Sequence, residues 1–149
     1  MPRQFKNDEV ELLFPENWLL SESYQETDGI DFQVMLEHPD GAFWLLSACR
    51  SEPDAQLLVD ELKRQIAEQY ESVEWTEASD IILQQPMPGL DGMFFSLDLL
   101  IAAEIRTFTR RNRTFVILAQ GESREFDQLR LVFQAIATSM LQAPVPAPR

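Results

Sequence analysis

Apolar and polar residues take turns from Glu9 to Phe14, with Val10, Leu12 and Phe14 on one side and Glu9 and Glu11 on the other, and the run stops at Pro15. Alternation with a period of two marks a strand with one buried face. Residues 10–14 are therefore expected as a strand, with Pro15-Glu16-Asn17-Trp18 as the turn after it and a second strand over 19–24. Residues 32–37 and 42–50 read as a hairpin around His38-Pro39-Asp40-Gly41, whose proline, aspartate and glycine supply turn chemistry. Its second arm, Phe43-Trp44-Leu45-Leu46-Ser47-Ala48-Cys49, is apolar on both alternating faces. Such a strand belongs inside a sheet that is covered on both sides, or beside a groove.

The period changes after Ser51, which reads as a helix cap followed by Pro53 in the first turn and acids near the positive end of the dipole. Ala55, Leu58, Val59, Leu62, Ile66 and Tyr70 recur at helical spacing, so one helix is expected over about 54–71. Short strands are expected at 73–77 and 81–85, and a loop over 86–92 from its prolines and glycines. Three strands follow at 93–101, 104–110 and 114–120, the last two joined by a turn at Arg111-Asn112 because asparagine tolerates the left-handed conformation. Ser123 is expected to cap a closing helix with a stripe of Phe126, Leu129, Val132, Phe133, Ile136, Ala137 and Met140.

These elements predict an α+β fold, a single domain over 1–142 in which an antiparallel sheet of about six strands is flanked by an early helix and a C-terminal helix. The proline-rich residues 143–149 are expected to form an extended, mobile tail. Because Phe43 and Trp44 are neighbours on one strand, they point to opposite faces, and both faces there need an apolar cover. Two helices covering one face would leave part of the other for a ligand or protein.

Composition narrows the function classes. A chain of 149 residues with 45% hydrophobic and 25% charged residues can build one sizeable core. Its formal net charge of −13 repels polyanions, so nucleic acid and anionic membrane are poor partners. The first residues carry no apolar run of the signal-peptide kind, and nowhere do about 18 apolar residues follow one another. With a single cysteine and so no internal disulfide, the expected location is the cytoplasm.

Candidate chemistry is sparse. Nucleophilic catalysis by Cys49 needs a base, and His38, the only histidine, lies at the far end of the same hairpin, roughly 26 Å along the strand at about 3.3 Å per residue. The Gly-x-Ser-x-Gly elbow, phosphate loop, zinc-type Cys/His set and EF-hand pattern are all missing, so no catalytic residue, cofactor or metal is expected. Asp98 interrupts an apolar strand pattern; its expected place is on an open face opposite Glu104 or Arg106, with a buried position as the alternative. Arg106, Arg110, Arg111 and Arg113 gather near the tip of the late hairpin. They read first as charge protecting an edge and pairing with the protein's own carboxylates, and second as a contact patch for an acidic partner.

Two stretches carry a family resemblance: the Phe-Pro-x-x-Trp turn at Phe14 to Trp18, and the strand Arg113 to Gln120 followed by Phe126 to Met140. Together with the element order, which matches through Leu141, they make the chain resemble the PsbP-like and DcrB-like group. That group also takes in the MOG-type Ran-binding factor and chaperones that shield hydrophobic segments of type VI secretion effectors. The resemblance implies a PsbP-like α/β/α sandwich and a non-enzymatic binding or assembly role, and it transfers no functional residue. The expected function is a chaperone-like adaptor that binds a protein partner near Phe43, Trp44 and Asp98, with Arg106, Arg110 and Arg111 as further contacts. A small carboxylate-dependent enzyme using Asp98 with an arginine, and a structural homodimer, stay open as alternatives.

Overall fold

The structure, a computed structural model, describes residues 1–144 of the chain. The expected tail therefore lies, beyond Pro144, outside the described residues. A seven-stranded antiparallel sheet with the order β3-β4-β5-β9-β8-β7-β6 forms the middle layer, and a separate two-stranded hairpin, β1-β2, lies beside it. The strands are β1 (Arg3–Lys6), β2 (Glu11–Phe14), β3 (Leu19–Ser23), β4 (Ile30–Glu37), β5 (Phe43–Cys49), β6 (Glu71–Ile82), β7 (Gln85–Ser96), β8 (Leu99–Arg110) and β9 (Arg113–Glu122). The helices are α1 (Glu52–Gln69) and α2 (Ser123–Gln142). This is the expected α+β single domain, with a main sheet one strand larger than the estimate of six.

The two helices lie on opposite faces of the sheet, as in the α/β/α sandwich that the resemblance implies, and not on one face as the expectation of an open sheet surface requires. Under α1, Ala55, Val59 and Ile66 pack with Cys49, Phe94, Ala103, Ile105, Val116 and Leu118. On the other face, Phe126, Phe133, Ile136 and Met140 of α2 join Trp44, Leu46, Phe115 and Ile117, and Phe5, Leu12 and Phe14 of the small hairpin complete that layer. The two-sided apolar pattern of β5 has this cause: Trp44, Leu46 and Ala48 face the α2 layer while Cys49 faces α1. Cys49 is fully buried, and desolvation, helped by the charge of Asp54, pushes its thiol up to about 11. The unfolded thiol ionises first as pH rises, so this contribution to stability is intact below the ordinary thiol range and lost on the way to pH 11. Alkaline unfolding curves are expected to show a loss on the order of 2–3 kcal/mol in the native chain that is absent in Cys49→Ala.

Local chemistry sets the helix starts. Ser51 caps α1, its hydroxyl accepting from the Asp54 amide at 3.2 Å, with proline in the first turn. In α2 the cap is Glu122 and not Ser123: its carboxylate accepts from the amides of Arg124 and Glu125, and Ser123 is already helical.

The stretch 71–101 departs most from expectation. The two short strands at 73–77 and 81–85 belong to one strand, β6, that ends at Ile82, and the loop expected at 86–92 is the first half of β7. Leu83 and Gln84 form the turn, both with positive φ (49° and 68°). Ile82 and Gln85 flank this two-residue turn, so Pro86 and Pro88 fall on the alternate positions, whose amides point away from β6. The β8 ladder starts only at Gly89, so neither proline removes a hydrogen bond from the sheet. The strand expected over 93–101 is interrupted by a turn at Leu97-Asp98, where Leu97 has φ 56°. Among the described residues no helix is long and apolar enough to cross a membrane.

Candidate functional site

Phe43 and Trp44 are covered from both sides. Trp44 is 1% exposed in the α2 layer, and Phe43 is half-buried against the α1 layer. Asp98 is exposed in the β7-β8 turn, on a different element from both. It therefore does not sit on a strand face opposite Glu104 or Arg106: Glu104 pairs with Asp91, and Arg106 with Gly89. Phe43, Trp44 and Asp98, expected near one binding face or groove, do not share a surface.

The late arginines are also dispersed. Arg106 is buried beneath the α2 layer, where its guanidinium donates to Asp80 at 2.9 Å, to Asp91 at 2.7 Å and to the carbonyls of Leu90 and Ile105. Burial works against its charge, but the hydrogen bonds to Asp91 and Asp80 outweigh it and leave its pKa above the ordinary value. Arg110 donates to the carbonyls of Met140, Leu141 and Ala143 and so closes the C-terminal end of α2. Arg113 forks onto Glu9 and also meets Asp31, tying β9 to the loop after β1 and to β4. Arg111 is exposed in the β8-β9 turn, which it forms with Asn112 as expected, both at positive φ. The carboxylate-arginine pairing on which an Asp98 enzyme would depend is not formed, since Arg106, Arg110 and Arg113 hold other partners.

Glu104 is the acid with the most unusual setting. Burial raises its pKa against the opposing pull of Arg106 and Arg130, and Arg130 of α2 donates directly to it. The adjoining cavity of about 40 Å³ between α2 and the sheet has room for little more than a water molecule.

A large concavity among the described residues lies elsewhere, between the β1-β2 hairpin and the outer side of α2. It is a groove of about 830 Å³ whose apolar lining includes Leu13, Phe14, Leu131, Val132, Ala135 and Ile136. Phe14 and Ile136 are buried and form its floor, while Leu131 at 76% and Leu13 at 46% exposure stand at its walls. Ser139 fixes the two walls together: its hydroxyl accepts from the Leu13 amide at 2.9 Å and donates to the Ile136 carbonyl at 2.7 Å. No sequence motif marks this groove, because one wall includes a hairpin whose first strand was not expected. The available signal was Leu131, a large apolar residue outside the buried stripe of an otherwise amphipathic helix.

With its seven-stranded antiparallel sheet between an early and a closing helix, the chain has a PsbP-like fold. The chain is similar to cyanobacterial PsbP (CyanoP) from Synechocystis sp. PCC 6803, with a TM-score of 0.65 and 13% identity over 93% of this chain and 90% of that one. It is also similar to PA94, a protein of unknown function from Pseudomonas aeruginosa, with a TM-score of 0.54 and 12% identity over 97% of this chain and 99% of that one. No protein-family model matches the sequence, and no curated protein matches it. At these identities the likeness is one of fold.

Proposed function

We propose that the chain is a binding domain of the adaptor or chaperone-like kind, which receives an apolar stretch of a protein partner in the groove between the β1-β2 hairpin and α2. The observation that carries this reading is the exposure of Leu131 and Leu13 over an apolar floor. Contiguous exposed apolar surface is rare on monomeric proteins and concentrates at interaction sites. The lining also favours binding over chemistry. Among its polar members Ser139 is committed to two backbone groups, and Glu16 is the one ionisable side chain. From Leu131 to Gln142 the helical wall runs roughly 16 Å at 1.5 Å per residue, room for about three turns of a partner helix. The PsbP-like fold adds the expectation of a binding or assembly role that the resemblance implies.

Affinity capture from the native cell, with the wild type beside Leu131→Asp, tests the reading. Leu131 lies outside the core, so the variant is expected to keep the circular dichroism of the wild type and an unfolding free energy within about 1 kcal/mol of it. A partner recovered by the wild type and lost at least tenfold by Leu131→Asp supports the groove. The same proteins recovered by both variants would remove it. Sedimentation of the two variants checks the homodimer: a dimer that Leu131→Asp dissociates would make the groove a contact between copies instead.

A further inference from the structure

At the N-terminal end of α2, away from the groove, His38 and Asp40 of the β4-β5 turn meet Glu125 of the first helical turn. Their ligand atoms all lie within 4.8 Å of one another. His38 Nδ1 stands 3.7 Å from a Glu125 carboxylate oxygen and 3.9 Å from one of Asp40.

Two of the three side chains are held in place. The turn is closed by the His38 amide on the Ala42 carbonyl at 2.8 Å and the Gly41 amide on the His38 carbonyl at 2.9 Å. The Ala42 amide then donates to Glu125 at 3.1 Å, locking the hairpin to the helix, and the Trp18 ring meets the imidazole edge to face with centroids 5.5 Å apart. The His38 and Glu125 side chains are 18% and 19% exposed; that of Asp40 is 74% exposed and free to swing.

Nδ1 accepts the Asp40 amide at 3.0 Å, so its in-plane lone pair is directed at that amide. The imidazole nitrogen and the two carboxylates thus gather at one point, where the donors are two backbone amides, that of Asp40 on Nδ1 and that of Ala42 on Glu125. Arg124, which lines the same polar recess, is engaged with Glu122. The positive end of α2 would oppose a cation here, but the Glu122 carboxylate already accepts its first amides and offsets that charge.

We propose that His38, Asp40 and Glu125 form a binding site for a divalent transition metal of the zinc type, which clamps the β4-β5 hairpin to the start of α2. Zinc bound to nitrogen and oxygen at about 2.0–2.1 Å in a tetrahedral set has its ligand atoms about 3.3–3.4 Å apart. Reaching that spacing from the observed 3.7 and 3.9 Å, within a set spread over at most 4.8 Å, takes Asp40 turning inward and its amide releasing Nδ1. One imidazole with two carboxylates suits zinc, whereas magnesium and calcium take all-oxygen sets. Three protein ligands leave a fourth position for water or a donor from a partner.

The site can be tested directly, because the chain has one histidine and its imidazole NMR signals have a single assignment. Zinc ions titrated into the full chain are expected to shift the His38 signals to saturation at one equivalent, while magnesium leaves them in place. His38→Gln, Glu125→Gln and Asp40→Asn should each weaken zinc binding at least tenfold by calorimetry. Asp40→Asn, at an exposed position, separates ligand loss from misfolding. His38 signals that do not move at one equivalent of zinc, or zinc bound equally tightly by Asp40→Asn and the wild type, would overturn the proposal.

Discussion

Replacing Gly89 by alanine is expected to cost more than about 3 kcal/mol, because the new methyl has no rotamer with which to escape. Gly89 pairs with Ala78 of β6 and Arg106 of β8, and a Cβ there would lie 1.7 Å from the Ile105 carbonyl oxygen and 3.0 Å from the Arg106 Cα. Both are backbone atoms, so relief requires β7 and β8 to part. Their separation would also disturb Arg106, whose guanidinium is held by the Leu90 and Ile105 carbonyls as well as by Asp80 and Asp91. At about 2–4 °C per kcal/mol for a chain of this size, the melting temperature should fall by roughly 10 °C. Gly41→Ala is the control: its φ of 107° is strained for alanine, but its Cβ meets nothing within 4 Å, so the cost is local, about 1 kcal/mol. A Gly89→Ala protein that melts within a degree or two of the wild type would show that the strands can spread at that point.

Trp44→Ala is expected to cost about 3–5 kcal/mol in urea unfolding, the range for deleting a large buried aromatic and leaving a cavity. Trp44 is among the largest fully buried side chains and lies opposite Leu36 on β4 and Ala119 on β9, under α2. The small Ala119 leaves space for the indole, and the space will not close when the indole is gone because both neighbouring strands are fixed by their own partners. Trp75, half-buried on the edge strand β6 over Gly92, should lose clearly less on the same substitution. Equal losses for the two would mean that burial in the α2 layer is not what holds Trp44.

These two positions illustrate what can be read from a linear pattern. The burial of Trp44 follows from its place in a strand apolar on both faces, and the helices α1 and α2 follow from stripes of period 3.6 with recognisable caps nearby. Gly89 differs for a local reason: with Pro86, Pro88 and Gly92 it has the pattern of a loop, and only the register of β6 and the late start of β8 reveal positions where proline is harmless. The turn at Leu97-Asp98 carries no turn signal because its left-handed residue is a leucine, while the Arg111-Asn112 turn is legible through its asparagine.

The candidate sites divide in the same way. The arginines stand out in the sequence as a patch, yet three of the long side chains reach different partners: the half-exposed Asp80 and Asp91 for Arg106, a helix end for Arg110 and the Glu9 and Asp31 carboxylates for Arg113. The groove and the His38 cluster left little trace, since both join segments far apart in the chain. Leu13 meets Ser139 across 126 positions, and Ala42 meets Glu125 across 83.

By itself, the sequence determined the class of this protein: one α+β domain, two amphipathic helices, a central strand that must be covered twice, and a strongly acidic surface. Those properties are local or compositional, and hydrophobic periodicity and charge encode them directly. The tertiary structure decided which helix covers which face, and with it the closing of the sheet surface around Phe43 and Trp44. It also placed the exposed apolar surface beside Leu131 and brought an imidazole to two carboxylates. Each of these depends on which distant segments pack together, and the non-local burial that selects such packing is not written in the spacing of neighbouring residues.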